Sequence, residues 1–342
     1  MKAGKLPADL LAKLLARLPD DPRLLLGPGV GRDAAAIDLG DGRVLVAKAD
    51  PVTFATDQIG RYAVHVNAND VACLGARPAW FLATVLLPEG TPEQLADEIF
   101  EQIRTTCEEL AIVPIGGHTE VTLGLPRPMI AGAMLGETTA GALVRPDGAR
   151  PGDHVVLTKG IAIEGTALLA RDAPDALRDR GVSEDLIARA AGLLSKPGIS
   201  VVREALALAD AGLAHALHDP TEGGLATALR ELGEAANCPV TFRPEDVPVL
   251  PETAAICHAA GIDPLGLLAS GALLIAVAPE RCDECRRVVL DMGIDAACIG
   301  ELASSSGDAI MDSWRREGLP RFERDELARF LEAIEEEAAP GA

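Results

Sequence analysis

Apolar residues along the chain form short runs separated by turn-forming residues, and polar residues interrupt this pattern most in Lys48–Pro78. Val44–Ala47 predicts a buried strand, which delivers Lys48 and Asp50 at its end. Side chains two residues apart on a strand share a face, so Lys48 and Asp50 should project together. The next apolar segment, Ile59–Leu74, has the spacing of a helix.

Two polar residues stand out on this predicted helix. Asp70 falls on its apolar stripe, and Asn69 lies beside the stripe, one turn after His65. A carboxylate in an apolar stripe is costly unless a cation or a metal ion neutralises it. The sequence leaves two explanations open: Asp70 caps a loop or pairs with an arginine such as Arg77, or it belongs to a binding site.

The remainder of the first half also alternates strands with helices. Asp41-Gly42 is typical of a type I′ hairpin turn, here joining strands over 34–38 and 43–49. A helix is predicted from Thr91 to about Leu110. Further strands are predicted over 79–87, 112–115 and 129–135.

The strand over 112–115 is predicted to end in a glycine pair, Gly116 and Gly117, which His118 and Thr119 follow. Glycines let the backbone approach a ligand closely, and successive N–H groups can surround an anion. This cluster is therefore competent for a metal ion or a phosphate, although a lone histidine is equally consistent with a structural role.

Residues 145–152 are rich in turn formers and lack large apolar side chains. They predict a linker between an N-terminal domain, residues 1–147, and a C-terminal domain, residues 148–342. Strands and helices alternate in the second domain as well, so we expect a sheet layered with helices.

A second glycine turn precedes a predicted helix in the C-terminal domain. Asp219, Thr221, Gly223 and Gly224 lie just before the helix start, where the dipole and free N–H groups favour a phosphate or a carboxylate. The alternative is a capped turn with Asp219 or Thr221 as the N-cap.

Composition and charge limit the possible partners. The 342 residues are 48% hydrophobic but only 3% aromatic, so small aliphatic side chains must build most of the core. A formal net charge of −21 argues against nucleic acid or an anionic membrane as a partner. No apolar run is long enough to span a bilayer, and the first residues form an amphipathic helix rather than a signal peptide, so we expect a cytoplasmic protein.

The seven cysteines are dispersed, as expected of free thiols in a reducing compartment. Cys282 and Cys285 have the spacing of a zinc or redox pair, but no second pair lies near them in sequence. An ordinary helix surface is the favoured interpretation of this pair.

Six motifs, in this order, resemble the AIR synthase (PurM-like) superfamily, and most closely its HypE-like branch of hydrogenase maturation factors. The motifs are Gly31-Arg-Asp33-Ala-Ala, Ala49-Asp50-Pro, Val66-Asn-Ala-Asn69-Asp70-Val-Ala, Gly75-Ala-Arg-Pro78, Gly116-Gly-His-Thr119 and His218-Asp219-Pro-Thr-Glu-Gly-Gly224-Leu-Ala. The resemblance covers nearly the whole chain. It implies an α/β (α+β) two-domain PurM-like fold, in which the N-terminal β-sheet domain forms a barrel in a homodimer and the C-terminal domain is an α/β sandwich.

The resemblance also implies ATP and Mg²⁺, and hard Mg²⁺ prefers carboxylate oxygens plus water. The acids expected at the metal are Asp33, Asp50, Asp70 and Asp219. The residues expected at the nucleotide are Lys48, Asn69, Gly116, Gly117, Thr119, Asp219, Thr221, Gly223 and Gly224. The residues expected in catalysis are Asp50, Asp70 and His118. Of these, the phosphate contact of Lys48 is inferred from strand alternation alone.

Three departures from the family pattern matter. Relatives commonly have an acid where Arg32 stands and an aspartate where His118 stands, and an imidazole suits Mg²⁺ less well. HypE proteins carry a carbamoylated cysteine at the extreme C-terminus, whereas this sequence ends Ala338–Ala342 and its last cysteine is Cys298. We therefore do not expect that reaction on its own tail.

The sequence thus predicts an ATP-dependent enzyme of the HypE-like branch, which phosphorylates or activates an oxygen of a carboxamide-like or phosphate-bearing acceptor in hydrogenase maturation. The acceptor, a small molecule or a group on a protein, is not identified by the sequence. The alternatives are a small-molecule kinase resembling thiamine-monophosphate kinase, and a nucleotide-binding assembly or regulatory protein without turnover.

Overall fold

The computed structural model describes residues 6–29, 31–53, 55, 57–303 and 319–338. The described residues within 19–143 form one compact unit, and those within 6–18 and 144–338 form the other. The first described helix, α1 (Ala8–Leu15), belongs to the second of these units. A division into functional domains at residues 147 and 148 stays a prediction, and the tail residues 339–342 lie outside the described part of the chain.

The first unit contains a six-stranded sheet. Its described strands are β1 (Leu24–Leu26), β2 (Ala35–Gly40), β3 (Arg43–Val52), β4 (Arg77–Pro88), β5 (Val113–Thr122) and β6 (Met129–Thr139). They lie in the order β1-β2-β3-β6-β4-β5, and all neighbours are antiparallel except β4 and β5. Asp41 and Gly42 both have positive φ between β2 and β3, which confirms the predicted hairpin turn.

Two helices cover one face of this sheet. The helix predicted from Ile59 is α2 (Ile59–Cys73), and it packs on β3, β4 and β6. The second, α3 (Glu93–Glu109), packs beside α2 and against β5. Most of the α2 residues are buried, including its polar residues His65, Asn69 and Asp70. These three polar side chains of α2 therefore lie in the interior of the unit and not on an exposed helix surface.

The second unit contains a five-stranded sheet layered with helices. Its described strands are β7 (His154–Thr158), β8 (Ala216–His218), β9 (Val240–Phe242), β10 (Leu274–Val277) and β11 (Ala296–Leu302), in the order β8-β10-β7-β11-β9 with antiparallel neighbours. Its further described helices are α4 (Ile163–Asp172), α5 (Pro174–Asp179), α6 (Glu184–Gly192), α7 (Val202–Asp210), α8 (Gly224–Ala236), α9 (Pro251–Ala260), α10 (Cys282–Leu290) and α11 (Glu326–Ala338).

The core of the second unit is built on the two central strands. Every residue of β10 is buried, as are Val155, Val156 and Leu157 of β7, which is the pattern of central strands with no face open to solvent. The sheet layered with helices that the alternating pattern predicted is confirmed.

The structure also shows the environment of the cysteine pair in α10. Cys282 and Cys285 of α10 are both buried, so the interpretation of this pair as an ordinary helix surface is wrong. Among the described residues, no helix combines the length and the apolar character that a membrane span needs.

Candidate functional site

A buried lysine lies at the centre of the polar cluster in the first unit. Lys48 Nζ lies 2.8 Å from Asp70 Oδ2 and 3.7 Å from Asp50 Oδ2. The side chains of Lys48 and Asp70 are only 10% and 4% exposed, whereas that of Asp50 is 40% exposed. Lys48 and Asp50 thus share a face of β3, as strand alternation predicts, and Lys48 is an ion-pair partner of the buried Asp70.

The charges around Lys48 keep it protonated. Burial alone would lower the pKa of Lys48, but the carboxylates of Asp70, Asp50 and Asp33 outweigh burial and raise it. The lysine therefore stays cationic at any physiological pH. With three acids around one ammonium group, the cluster carries excess negative charge, which a divalent cation could balance.

Asn67 fixes the backbone of Asp50. Its side chain accepts a hydrogen bond of 2.9 Å from Asp50 N and donates one of 3.3 Å to Asp50 O. It also donates to Ala63 O, one turn earlier in α2. A Cβ on Gly132 would lie 2.5 Å from Asn67 Nδ2, so only glycine leaves room for this amide between α2 and β6. The result is a rigid support for the partly exposed carboxylate.

The other two residues expected near this cluster lie in different environments. Asp33 is half-buried, and its charge raises the pKa of Lys48, so the structure brings it to the cluster. Asn69 is fully buried within α2. Its assignment to nucleotide binding stays a prediction, and no part of its side chain is exposed to a ligand in this structure.

The glycine pair lies inside a strand, contrary to the predicted turn. The strand expected to end at Ile115 continues as β5 to Thr122 and pairs in parallel with β4. Gly116 and Gly117 have φ of 140° and 146°, and a Cβ on Gly117 would lie 1.9 Å from Ala83 O. The predicted turn at these residues is therefore wrong, because Gly117 serves the close approach of β5 to β4, whereas their contact with a phosphate stays a prediction.

The residues predicted at the phosphate on β5 are separated from Lys48. Strands β6 and β4 lie between β3 and β5, which places Thr119 about 14 Å from the Lys48 strand at the usual spacing between strands. His118 is 66% exposed, and its Nε2 lies 3.1 Å from Glu120 Oε2. The structure of this unit therefore does not bring His118 to the buried cluster.

These β5 residues instead line an open groove beside α3. The groove has a volume of about 730 Å³, and its walls include Phe81, Phe100 and Ile103 with Gly117 and His118. Ligand pockets commonly have such a volume and such an apolar lining. The groove and the Lys48 cluster are thus two distinct features of the first unit.

In the second unit, the glycine turn before α8 holds an internal carboxylate. Gly223 and Gly224 have φ of 83° and 66°, and a Cβ on Gly224 would lie 2.5 Å from Leu265 O. Gly223 N donates a 2.7 Å hydrogen bond to Asp325 Oδ2. The helix start thus binds an anion, as predicted, but that anion is the Asp325 side chain.

Burial raises the pKa of Asp325 to about 6, although hydrogen bonds from Gly223, Leu327 and Leu268 oppose this effect. The carboxyl is nevertheless mostly ionised at neutral pH. Asp219, at the start of the same turn, is 1% exposed. Neither it nor Thr221 provides an N-cap side chain for α8, whose cap residue is Gly223.

Glu164 on α4 is a second buried acid, and it lies close enough to Asp325 and Asp219 to feel their charges. Burial raises its pKa to about 7, the nearby Ser270 opposes the rise, and the carboxylates of Asp325 and Asp219 add to it. One carboxyl oxygen, Oε2, has no hydrogen-bond partner among the described residues. A carboxyl whose pKa is raised toward neutrality has the property required of a general acid or base.

The nearby Lys159 has a structural partner instead. It follows β7, has a φ of 58°, and its Nζ lies 2.7 Å from Glu204 Oε1 and 2.5 Å from Ser200 O. Both charged side chains are almost fully buried. Lys159 therefore neutralises a buried carboxylate within the second unit.

Sequence reasoning missed Asn67, Glu164 and Asp325. Asn67 lies on the apolar stripe of α2 and Glu164 lies between Ile163 and Gly165 in an apolar helix, so a polar residue at a buried helical position was the available signal. Asp325 follows the charged run Arg321–Arg324 and had no such signal. Only the fold brings it to Gly223.

Comparison with protein families gives matches in both halves of the chain. The model of the AIR synthase related protein N-terminal domain matches residues 31–138, and that of the C-terminal domain matches residues 150–313. Together they cover most of the sequence. The predicted two-domain α/β fold and the family resemblance are confirmed, whereas the barrel in a homodimer stays a prediction.

Individual relatives agree with the family models. A putative hydrogenase expression/formation protein from Methanocaldococcus jannaschii is 28% identical over 288 residues, 82% of each chain. The carbamoyl dehydratase HypE from Bradyrhizobium diazoefficiens is 30% identical over 321 residues, 85% of this chain and 87% of the relative. A crystal structure of a hydrogenase maturation protein HypE in complex with ATP has a TM-score of 0.65 and 28% identity, with 85% of this chain and 86% of that chain covered.

Proposed function

We propose that this chain, which belongs to the AIR synthase-related protein family, is an ATP-dependent enzyme of the HypE-like branch. It phosphorylates or activates an oxygen of a carboxamide-like or phosphate-bearing acceptor, either a small molecule or a group on a protein, in the maturation of a hydrogenase metal centre. The similarity to a HypE structure in complex with ATP, over 85% of this chain, is the observation that carries the proposal.

The cluster around Lys48 fits a magnesium ion with its nucleotide. Asp70 is buried and ion-paired, so Asp50 and Asp33 offer the accessible carboxylate oxygens that Mg²⁺ prefers. Mg²⁺ held by these two residues would neutralise phosphate charge, and phosphoryl transfer depends mainly on positioning and charge neutralisation.

The chain's own groups prepare this cluster. Lys48 supplies a fixed cation that Asp70 orients, and Asn67 holds the backbone of Asp50 in place. In the second unit, we propose that Glu164 is a buried carboxyl able to hold a proton near neutral pH, because burial raises its pKa to about 7. For Asp219, Thr221, Gly223 and Gly224, nucleotide binding stays a prediction.

We also propose that the chain forms a homodimer through β5. This edge strand is exposed along almost its whole length, and its exposed apolar side chains include Val113, Ile115 and Val121. An exposed apolar edge strand is a template for pairing with a second copy of the same strand. The proposal rests on this edge and on the family resemblance.

The decisive experiment measures ATP turnover with Mg²⁺, with and without carboxamide-bearing acceptors. Acceptor-dependent release of ADP supports the proposed enzyme. Asp50→Asn should weaken binding of Mg·ATP by about tenfold or more, because one charged oxygen ligand is lost. Asp41→Asn, on the exposed hairpin turn, is the matched control and should bind like the wild type.

The rival functions give different outcomes. Phosphate that appears on the acceptor and remains there indicates a small-molecule kinase. Mg·ATP binding without any turnover, across all acceptors, indicates a nucleotide-binding assembly protein. If the wild-type protein does not bind Mg·ATP at all, the proposed enzyme and both rival functions are ruled out.

A further inference from the structure

Three side chains with soft or borderline ligand atoms meet at one edge of the second unit. They are His154 at the start of β7, Cys298 in β11 and Cys282 at the start of α10. One ligand atom from each lies within 4.8 Å of the other two. None of these residues takes part in the acid cluster around Glu164.

The fold explains why residues so distant in sequence come together. Strand β11 runs antiparallel to β7, with Cys298 opposite Val156. Val156 lies two residues beyond His154 and therefore shares its face of the sheet, so Cys298 and His154 are diagonal neighbours. Helix α10 packs on β7 and β11 and brings Cys282 to this face. Three separate elements thus contribute one ligand each.

The His154 ring carries a polar nitrogen that needs a hydrogen-bond partner or a metal ion. Its Nδ1 is buried and has no hydrogen-bond partner among the described residues. A buried ring nitrogen without a partner is costly, and coordination to a metal ion would satisfy it. The neighbouring thiols are weak hydrogen-bonding groups, so they do not meet this need well. Cys282 is 7% exposed, whereas His154 and Cys298 are partly exposed, so the group lies at the margin of the core where an ion can enter.

We propose that His154, Cys282 and Cys298 bind a thiophilic transition-metal ion, with Zn²⁺ as the ion that these ligands fit best. Two thiolates and one imidazole match the ligand preferences of Zn²⁺ and exclude the hard Mg²⁺ ion. Three protein ligands leave one tetrahedral position for a water molecule or another group. Of the two cysteines with metal-site spacing in the sequence, only Cys282 belongs to this group, and Cys285 does not.

The position indicates a structural role. His154 is the first residue of β7, whereas Glu164 comes after the other end of the strand, whose five residues span about 13 Å. The ion would join β7, β11 and α10, three elements of one unit, away from the proposed proton-exchanging acid. Its loss should therefore affect the stability of this unit more than the binding of a nucleotide.

The test uses untagged full-length protein, purified with a reducing agent and without chelators, then dialysed against buffer containing Zn²⁺ and again against metal-free buffer. Elemental analysis should find about one zinc ion per chain in the wild type. The double variant Cys282→Ser/Cys298→Ser and the variant His154→Ala should lose most of this metal. Cys257→Ser, which removes a buried thiol elsewhere in the same unit, is the matched control and should retain it.

A second measurement keeps the test decisive if a variant fails to fold. Co²⁺ added to the reduced wild type should give the intense visible bands of a tetrahedral site together with a thiolate-to-cobalt charge-transfer band. Only weak octahedral bands, or no metal retained by the reduced wild type, would overturn the proposal. A Cys282–Cys298 disulfide in a protein that retains no metal after reduction would overturn it in favour of a redox pair.

Discussion

At the scale of single residues, the Lys48–Asp70 pair is the most consequential contact of the first unit. Both groups are almost fully buried, so each depends on the other for neutralisation. Lys48→Met should lower the free energy of unfolding by about 3 kcal/mol or more, because it leaves a buried carboxylate without its cation. Lys13→Met on α1 is the control and should change it by less than about 0.5 kcal/mol.

The double variant Lys48→Met/Asp70→Asn separates folding from nucleotide binding. It should recover much of the stability lost by Lys48→Met, since no uncompensated charge remains. If Lys48 also contacts a phosphate, Mg·ATP affinity stays low in the double variant, as measured by titration calorimetry. Wild-type affinity in a folded double variant would refute the phosphate contact of Lys48 and leave it a purely structural lysine.

Glu164 makes stability depend on pH. Its pKa is about 7 in the folded chain and 4.5 without the fold, so between these values the folded state holds a proton that the unfolded state has lost. Stability from this group is therefore complete below about pH 4.5 and falls as pH rises to 7. Glu164→Gln, which cannot ionise, should gain up to about 3 kcal/mol relative to wild type between pH 5 and pH 8.

Thermal unfolding at several pH values measures this difference. The pKa of Asp325 is raised by burial in the wild type and in Glu164→Gln alike, so the difference between the two proteins reports on Glu164. Glu245→Gln, at an exposed position of the same unit, should show no such pH-dependent gain. A gain for Glu164→Gln that is constant with pH would contradict the neutral-range titration of this residue.

At the scale of elements, strand β5 shows how glycine can indicate packing rather than a ligand turn. Gly117 and Gly116 have nearly the same φ, but only a Cβ on Gly117 would overlap the backbone of Ala83. Gly117→Ala should therefore cost about 3 kcal/mol or more, whereas Gly116→Ala should cost only the strain of its backbone conformation, about 1 kcal/mol. Chemical denaturation of the two variants measures both values.

Equal losses for the two glycine variants would show that β5 does not approach β4 as closely as the structure indicates. The pairing also explains why the predicted strand end was wrong. Two glycines after Ile115 favour a turn in a single sequence, but the parallel partner β4 supplies hydrogen bonds that keep the backbone extended through Thr122.

At the scale of the whole molecule, the homodimer is the testable consequence of the exposed edge strand. Ile115→Lys/Val121→Lys places charges on β5, which disfavours edge-to-edge pairing, and should convert a dimer to a monomer in light scattering coupled to size exclusion. Leu290→Lys on α10, at an equally exposed apolar position, should leave the mass unchanged. A monomeric wild type would contradict the proposal directly.

Much of this organisation could be predicted from the sequence. The hairpin at Asp41-Gly42, the helix from Ile59 and the shared face of Lys48 and Asp50 all follow from periodicity and turn chemistry, which act between near neighbours in the chain. The motif order also gave the family, because that signal depends on residue identity rather than on contacts.

The contacts between distant segments were decided only by the tertiary structure. The carboxylate of Asp325 accepts a hydrogen bond from the N–H of Gly223, which lies 102 residues away in the sequence. Cys298 lies near His154 because β11 pairs with β7. Burial then sets the proton affinity of Glu164, since desolvation depends on every element packed around it. Local pattern fixes which groups are present and which way they face along an element, whereas packing selects their partners and therefore their charge.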